Sequence, residues 1–342
     1  MTNNGYSNTK YDMGKEIVAA VVVTFNRKNL LEECLDAIIE QTFKPDAIII
    51  IDNNSTDGTA ELLLEKSYIN NLPPVGLNNG RQQIQENLIA TNKQDKFISI
   101  IYLHKSVNSG ASGGFYEGLK LSYEKQYTWA WLMDDDVAPQ KDCLEQLLNQ
   151  YSDNNNISCI VPTRIYPNGD IVQGHELILS RKVFSKSLFK IPETERIEKM
   201  TFEGPLLKTK YFNVIKKDIL KYFLLFDDND AAYKISKRGI IVKSEKGIMI
   251  KKIQILNNFY TKGNEWKQYY RYRNKWIYVR NNFELWMLFP VIYEFLRELK
   301  ILITDTSKWS YIKVFFRAVG HFLVGKEGKT YTKYKNPWTT NR

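Results

Sequence analysis

The sequence predicts an α/β fold: a Rossmann-like, mostly parallel sheet flanked by helices, followed by a C-terminal helical extension. Between Ile17 and about Val161, short apolar runs alternate with helix-length amphipathic segments, the pattern of a parallel sheet covered on both faces. Several runs end abruptly in polar or acidic clusters, as strands do where an open sheet binds its ligand. A chain of 342 residues with 43% hydrophobic side chains is also long enough to bury a large core.

The predicted strands are IVAAVVVT from Ile17, AIIIID from Ala47, FISIIYL from Phe97, TWAWLMD from Thr128 and ISCIVP from Ile157. Helical patterns start near Lys28, Asp57, Ser112 and Pro139. Asp57 suits an N-cap and Pro139 a first helical turn. The stretch from Ser67 to Lys96 is rich in Asn and Gln, contains Pro73-Pro74, and reads as an inserted surface loop. Beyond residue 162 come shorter strands, a hairpin around Pro167-Asn168-Gly169-Asp170, and a helix starting near Asp228. From Glu265 to Gly325 the pattern is helical, basic and rich in Trp and Tyr. The expected division is a flexible N-terminus (1–15), one domain (16–262) whose halves meet at residue 162, and the extension (263–342).

Charge is divided along the chain. Residues 1–170 hold 14 Lys and Arg against 22 Asp and Glu, whereas residues 171–342 hold 34 against 16. A basic half suits nucleic acid, anionic lipid or a phosphorylated substrate, and charge alone does not choose among them. Cys34, Cys143 and Cys159 have no CxxC spacing and read as small buried side chains, so neither a zinc site nor a disulfide framework is expected. MTNNGYSNTKYD at the start lacks the apolar run of a secretory signal, which places the expected activity in the cytoplasm. The longest uncharged run of the extension, Leu285 to Tyr293, is interrupted by Pro290. It falls well short of the roughly 20 apolar residues of a spanning helix and fits an interfacial one.

Trp131-Leu132-Met133-Asp134-Asp135-Asp136 is the strongest local signal, an apolar strand that stops in three carboxylates. Adjacent anions repel, so such a site gains most from a hard divalent cation, Mg²⁺ or Mn²⁺. A solvated acidic turn that caps the next helix accounts for the same residues. Two further exits, Thr24-Phe25-Asn26-Arg27 and Asp52-Asn53-Asn54-Ser55-Thr56-Asp57, can lie beside the first. There Asp52 suits a base or ribose and Arg27 a phosphate, while plain helix caps remain open as the alternative. In Asn108-Ser109-Gly110-Ala111-Ser112-Gly113-Gly114, glycines let backbone N–H groups approach an anion at a helix start, or simply make a tight turn.

Taken together, VVVTFNR, IDNNSTDGT, NSGASGGFYEG and WLMDDDV resemble the GT-A glycosyltransferases of sequence family 2, from about Val18 to Arg280. The glycine-rich stretch is similar to that of bacterial galactofuranosyltransferases, with rhamnosyltransferases as close relatives. The resemblance implies an inverting transfer from a nucleotide sugar, UDP-galactofuranose or alternatively dTDP-rhamnose. The acceptor would be a lipid-linked glycan at the inner face of the cell membrane, and residues 16–162 and 163–262 would serve donor and acceptor respectively. It also implies that Thr24, Asn26 and Asp52 contact the uridine part and that Asp134 and Asp136 hold the metal. Asn108 and Gly113 would lie beside the donor sugar, with Arg27, Gly110, Gly114, Trp131 and Asp135 in the same donor-binding set.

Phe226-Asp227-Asp228-Asn229-Asp230 resembles the family's acidic signature, which implies Asp228 as catalytic base with Asp227 and Asp230 in support. Tyr269-Tyr270-Arg271-Tyr272-Arg273-Asn274 resembles its YYxxRN motif, where Arg271 and Arg273 would neutralise the acceptor pyrophosphate; a solvated basic helix face is the plainer alternative. Two features depart from the family. The His expected as third metal ligand is missing, its place taken by a strand with Lys251, Lys252 and Gln254, and Ala231 and Lys234 replace an aromatic residue and an Arg. A rival of another class is a nucleic-acid or polyanion-binding surface built on YYRYRNKW. It leaves the three carboxylates without a use, so nucleic acid is not expected as a partner. An oligomer remains possible.

Overall fold

The computed structural model describes residues 16–74, 82–90, 97–150, 157–172, 196–197, 200–253, 263–305 and 309–331. The expected flexible N-terminus and Gln254 lie outside these. The first half alternates strands and helices: β1 (Val18–Thr24), α1 (Lys28–Ile39), β2 (Ala47–Asp52), α2 (Thr59–Glu65), β3 (Gln82–Ala90), β4 (Phe97–Lys105), α3 (Gly110–Glu124), β5 (Trp129–Asp134), β6 (Val137–Pro139) and α4 (Cys143–Asn149). There follow β7 (Ile157–Ile165), β8 (Arg196–Ile197), β9 (Leu206–Lys208), α5 (Phe212–Ile219), α6 (Asp227–Ser236) and β10 (Ile240–Lys251). The extension supplies α7 (Glu265–Asn281), α8 (Leu288–Thr304) and α9 (Ser310–Leu323).

The sheet runs β3-β4-β2-β1-β5-β9-β7-β10-β6, with β8 paired to β10. Strands β4, β2, β1 and β5 are parallel, whereas β9 is antiparallel to both β5 and β7. Continuous apolar runs become strands here because both faces are covered. Val18, Ala20 and Val22 of β1 join α1 and α4 in one core, and Ala19, Val21 and Val23 join α3, α5 and α6 in the other. All three cysteines are buried and free, as expected.

Some expectations are corrected. Part of the supposed surface loop is β3, nine residues long and antiparallel to β4 at the sheet edge. Its half-exposed, Gln-rich face suits an edge strand, where one side stays wet. Pro139 ends β6, and α4 begins only at Cys143. Asp57 accepts from the backbone N–H of Lys28 at 2.9 Å, so it caps α1 across the gap between loops, while Gly58 occupies the N-cap of α2. The hairpin after Ile165 is present, closed by Tyr166 and Asp170.

The extension is not set apart from the sheet. Tyr269, Tyr270 and Tyr272 of α7 pack with Leu302 of α8, Phe315 of α9 and Phe223, while Ile277, Tyr278 and Val279 pack on Tyr222 and Phe226. On the other side of the segment holding Tyr222 and Phe223, α3 lies close to β1. A Cβ on Gly114 would stand 2.4 Å from Val23 Cγ1. Gly114→Ala is therefore expected to cost about 1–3 kcal/mol through overpacking, read as a lower urea midpoint with an unchanged slope.

Candidate functional site

The register of the sheet brings the strand exits together. Thr24 lies beside Asp52, Asp52 beside His104, and Val23 beside Asp134. Their carboxyl ends open on a cavity of about 710 Å³ lined by Thr24, Arg27, Asp134, Asp136, Glu203 and Asp228, among others.

At the end of β5 each carboxylate meets a different partner. Asp135 accepts from Thr24 Oγ1 at 2.8 Å and Arg27 Nη1 at 3.1 Å, and Arg27 also stands 3.5 Å from Asp136 Oδ2. Lys251, at the end of β10, lies 3.5 Å from the same Asp136 oxygen and pairs with Glu203, which Arg164 also holds. Pairing of β6 with β10 sets Lys251 opposite Val137 and so beside the acidic turn. Burial pushes the Asp134 carboxyl well up, helped by Asp136, Glu203 and Asp135. Against its own burial, Lys251 and Arg164 hold Glu203 below the usual range. Asp134, Asp136 and Glu203 each offer an oxygen within 4.8 Å of the others. Asp136 Oδ1 is buried without a hydrogen-bond partner. Three carboxylates that offer hard oxygen donors, one of them with an unsatisfied oxygen, fit a divalent cation.

Glu203 owes its place to Gly204. That glycine has φ +101°, donates to Leu132 O at 2.7 Å, and its own carbonyl accepts from Trp131 Nε1 at 2.9 Å. Nothing in the pattern around Phe202-Glu203-Gly204 marks it from sequence, since a lone acid between an aromatic and a glycine has no periodicity to betray it.

The other expected site residues divide into those at the cavity and those behind it. Thr24, Arg27, Asn108, Gly110, Asp134, Asp135, Asp136, Asp228 and Arg271 line it. Gly110 has φ +76°, and a Cβ there would come within 2.0 Å of Phe223 O, so only glycine fits the turn. Asn26, also at positive φ, accepts from Thr56 N at 2.7 Å and ties the first two exits together. Asp52 is fully buried, holding Ser55 N at 2.7 Å and Tyr102 Oη at 2.8 Å, with His104 Nδ1 at 3.2 Å. Asn53, not singled out from sequence, reaches the cavity in its stead and donates to Gly110 O at 3.1 Å.

Besides Asp52, six further residues expected at the site are enclosed. Trp131 lies in the core, and Gly113 and Gly114 serve close packing against Ser109 and Val23. Asp230 is buried and paired with Lys234 at 2.7 Å, an ion pair that also gives the departing Lys234 its partner. Asp227 is buried at the start of α6. Arg273 is fully buried and donates to the carbonyls of Tyr222 at 3.0 Å and Gly328 at 2.8 Å. With Tyr269, Tyr270 and Tyr272 buried too, YYRYRN is no stacking surface for nucleic acid.

Next to Arg273, Asn274 Nδ2 lies within hydrogen-bond distance of the carbonyls of Tyr222, Leu224 and Leu225. The segment they hold carries positive φ at Phe223, Leu225 and Phe226, a strained conformation for side chains of that size. It forms one wall of the cavity and leads straight into Asp227 and Asp228.

The sequence profile described as Glycosyl transferase family 2 matches residues 19–75 and 78–223. The chain belongs to that family. Galactofuranosyltransferase GlfT1 of Mycolicibacterium smegmatis is 30% identical over 124 residues, 36% of this chain and 31% of the relative. GlfT1 of Mycobacterium tuberculosis is 33% identical over 125 residues, 36% and 32% of the two chains. The match thus spans about a third of the length of these curated relatives. Among solved structures, S. aureus TarS 1–349 in complex with UDP-GlcNAc aligns with a TM-score of 0.54 at 16% identity, covering 90% of this chain and 80% of that one. The mannosyltransferase PcManGT of Pyrobaculum calidifontis, in complex with GDP-Man and Mn²⁺, aligns with a TM-score of 0.51 at 13% identity, covering 91% and 88%. The family's GT-A fold is the architecture described above.

Asp227 gives this family member a pH signature. Burial raises its carboxyl to about 6, against backbone hydrogen bonds that favour the charged form. The folded state then keeps a proton that the unfolded chain releases near the ordinary aspartate value, so stability falls as pH rises from about 4 to about 6. Asp227→Asn removes that loss. Its urea midpoint at pH 7 is expected to exceed the wild-type value, and the gap to close at pH 4.

Proposed function

We propose that the protein transfers galactofuranose from UDP-galactofuranose to a hydroxyl of a lipid-linked cell-surface glycan, with inversion and with a divalent cation, Mn²⁺ or Mg²⁺. One observation carries the proposal: Asp134, Asp136 and Glu203 open on the same cavity as Asp228. Oxygen donors suited to a metal thus share one space with a carboxylate suited to taking a proton. The sugar is supported by the similarity to the two GlfT1 sequences, each named a galactofuranosyltransferase.

When bound, the cation would neutralise the charge gathering on the departing diphosphate. Asp134, Asp136 and Glu203 would hold it. Arg27, now resting on Asp135 and Asp136, would turn to a phosphate oxygen, which an arginine fork suits. The acceptor oxygen attacks the anomeric carbon and forms the new C–O bond. The bond to the diphosphate breaks, its electron pair leaves with UDP, and the acceptor proton passes to Asp228. A single displacement inverts the anomeric centre. Asp52 would act from behind, since its carboxylate already fixes Ser55 in the loop after β2, next to the cavity-lining Asn53.

Purified protein offered UDP-galactofuranose and dTDP-rhamnose with a polyprenyl-linked acceptor, with and without a chelator, tests donor and metal together. Rhamnosyl transfer alone would replace the proposed donor. Asp228→Asn is expected to lower transfer by about a thousandfold, within the usual range for a general base, while UDP binding by calorimetry stays within about twofold. Undiminished transfer would remove Asp228 from its role.

The acceptor's lipid points to the membrane. Among the described residues no helix is long and apolar enough to cross a membrane. Yet Leu285, Phe289, Ile292, Tyr293, Leu296 and Ile303 are exposed along one stripe of α8 and the turn before it, beside the exposed Arg297 and Lys300. An apolar stripe with Lys300 within it and Arg297 beside it suits an anionic lipid surface, at the cytoplasmic face of the membrane on the proposed function. The double variant Phe289→Glu, Leu296→Glu is expected to lose cosedimentation with phosphatidylglycerol vesicles and to keep transfer to a soluble acceptor. Retained sedimentation would assign membrane binding elsewhere.

A further inference from the structure

The acidic cluster already contains a cation of the protein's own. Lys251 is buried, 4% exposed, and its Nζ lies between Asp136 Oδ2, at 3.5 Å, and Glu203 Oε1, to which it donates. Those two carboxylates, with Asp134, are the ones whose oxygens gather within 4.8 Å. Four carboxylates, Asp134, Asp135, Asp136 and Glu203, thus face three fixed cations, Arg27, Arg164 and Lys251. Asp136 Oδ1, enclosed and without a hydrogen-bond partner, leaves one carboxylate oxygen open to a further cation.

An ammonium and a divalent metal ion seek the same lone pairs, and they repel each other at contact distance. At Glu203 both oxygens are already engaged, Oε1 by Lys251 and Oε2 by Arg164, so a metal ion there competes with a cation already in place. We propose that Glu203 is the third protein ligand of the divalent cation, and that Lys251 is a built-in counter-ion which the cation must displace from Asp136 and Glu203, so that Lys251 sets how tightly the metal is held. This rests on the metal-dependent function proposed above and adds to it a reason why the strand end that lacks a His carries a lysine. Lys251 keeps the carboxylates compatible with folding before the metal arrives. Arg164 stays on Glu203 once Lys251 has moved.

The inference predicts opposite signs for two substitutions. Mn²⁺ binding is measured on the protein alone by electron paramagnetic resonance and calorimetry, with no donor or acceptor, after thermal melting in chelator has shown each variant folded. Glu203→Gln, which removes a ligand, is expected to weaken Mn²⁺ binding by about ten- to a hundredfold. Lys251→Met, which keeps length and removes the competing charge, is expected to tighten it by about tenfold. Where Lys251→Met does not fold, Lys251→Arg serves: its fork grips both carboxylates more firmly, and Mn²⁺ binding is expected to weaken.

Weaker or unchanged binding in Lys251→Met overturns the proposal, as does unchanged binding in Lys251→Arg or in Glu203→Gln. A merely structural role would move both residues' variants in one direction. Because no sugar is present, the outcome is separate from the functional proposal. Mn²⁺ bound as predicted with no transfer from any nucleotide sugar defeats that proposal alone, and transfer from UDP-galactofuranose with an affinity neither substitution alters defeats only this one.

Discussion

Like charges gathered where β5 ends are the constraint on which the rest of the structure depends. Burying carboxylates side by side is unfavourable unless cations and hydrogen bonds answer them. Here the answers come from three distant segments, Arg27 after β1, Arg164 on β7 and Lys251 on β10. Sheet topology makes that possible, since β9 bridges β5 to β7, which in turn pairs with β10. The same contacts that hold the two halves together therefore also hold the acidic cluster. On the proposed function, donor and metal enter by exchanging partners: phosphate takes Arg27, and the cation takes oxygens that Lys251 and Arg27 now hold. Little net charge is buried anew, so the site can be compact without ligand and still bind one.

Geometry at the opposite wall rests on a second constraint. Non-glycine residues at positive φ cost of order 1–3 kcal/mol each, and Phe223, Leu225 and Phe226 all adopt it. Arg273 and Asn274 offset that cost by donating to the carbonyls of the segment from inside α7. A helix that the sequence pattern assigns to an extension thus completes the cavity, and Asp228 stands where it does because buried polar side chains behind it leave the chain little choice.

What the sequence made legible follows from these forces. Strands β1, β2, β4, β5 and β7 could be read because both of their faces are buried, which leaves unbroken apolar runs, and α1 and α3 because their buried faces recur every three to four residues. Strand β3 was hidden by its wet edge, and β6 and β9 by having three residues each. Arg27, Asp134, Asp135, Asp136 and Asp228 meet at the cavity, because a cluster of polar residues at a strand or helix end has few other places to go. Glu203 could not be found that way, since its position comes from a turn fixed by Gly204 against Leu132. Arg273 shows the reverse failure. A charged residue in a basic, aromatic helix suggests surface, yet its several donors let it hold Tyr222 and Gly328 at once.

The basic second half gains a more specific meaning from this. Several of its cations, Lys208, Lys251, Arg273 and Lys275 among them, are buried and serve the fold, so the charge count overstates the field at the surface. Arg271 and Lys267 differ: with Trp266 they line the same cavity as Asp228, at the start of α7. The stripe of exposed apolar residues on α8 follows in the same extension. On the proposed function these features form a sequence. A lipid anchor would rest on α8, an anionic pyrophosphate would meet Arg271 and Lys267, and the sugar hydroxyl beyond it would reach Asp228. The rigid link between them is α7, whose buried face holds the strained wall in place while its first turns turn charge toward the acceptor.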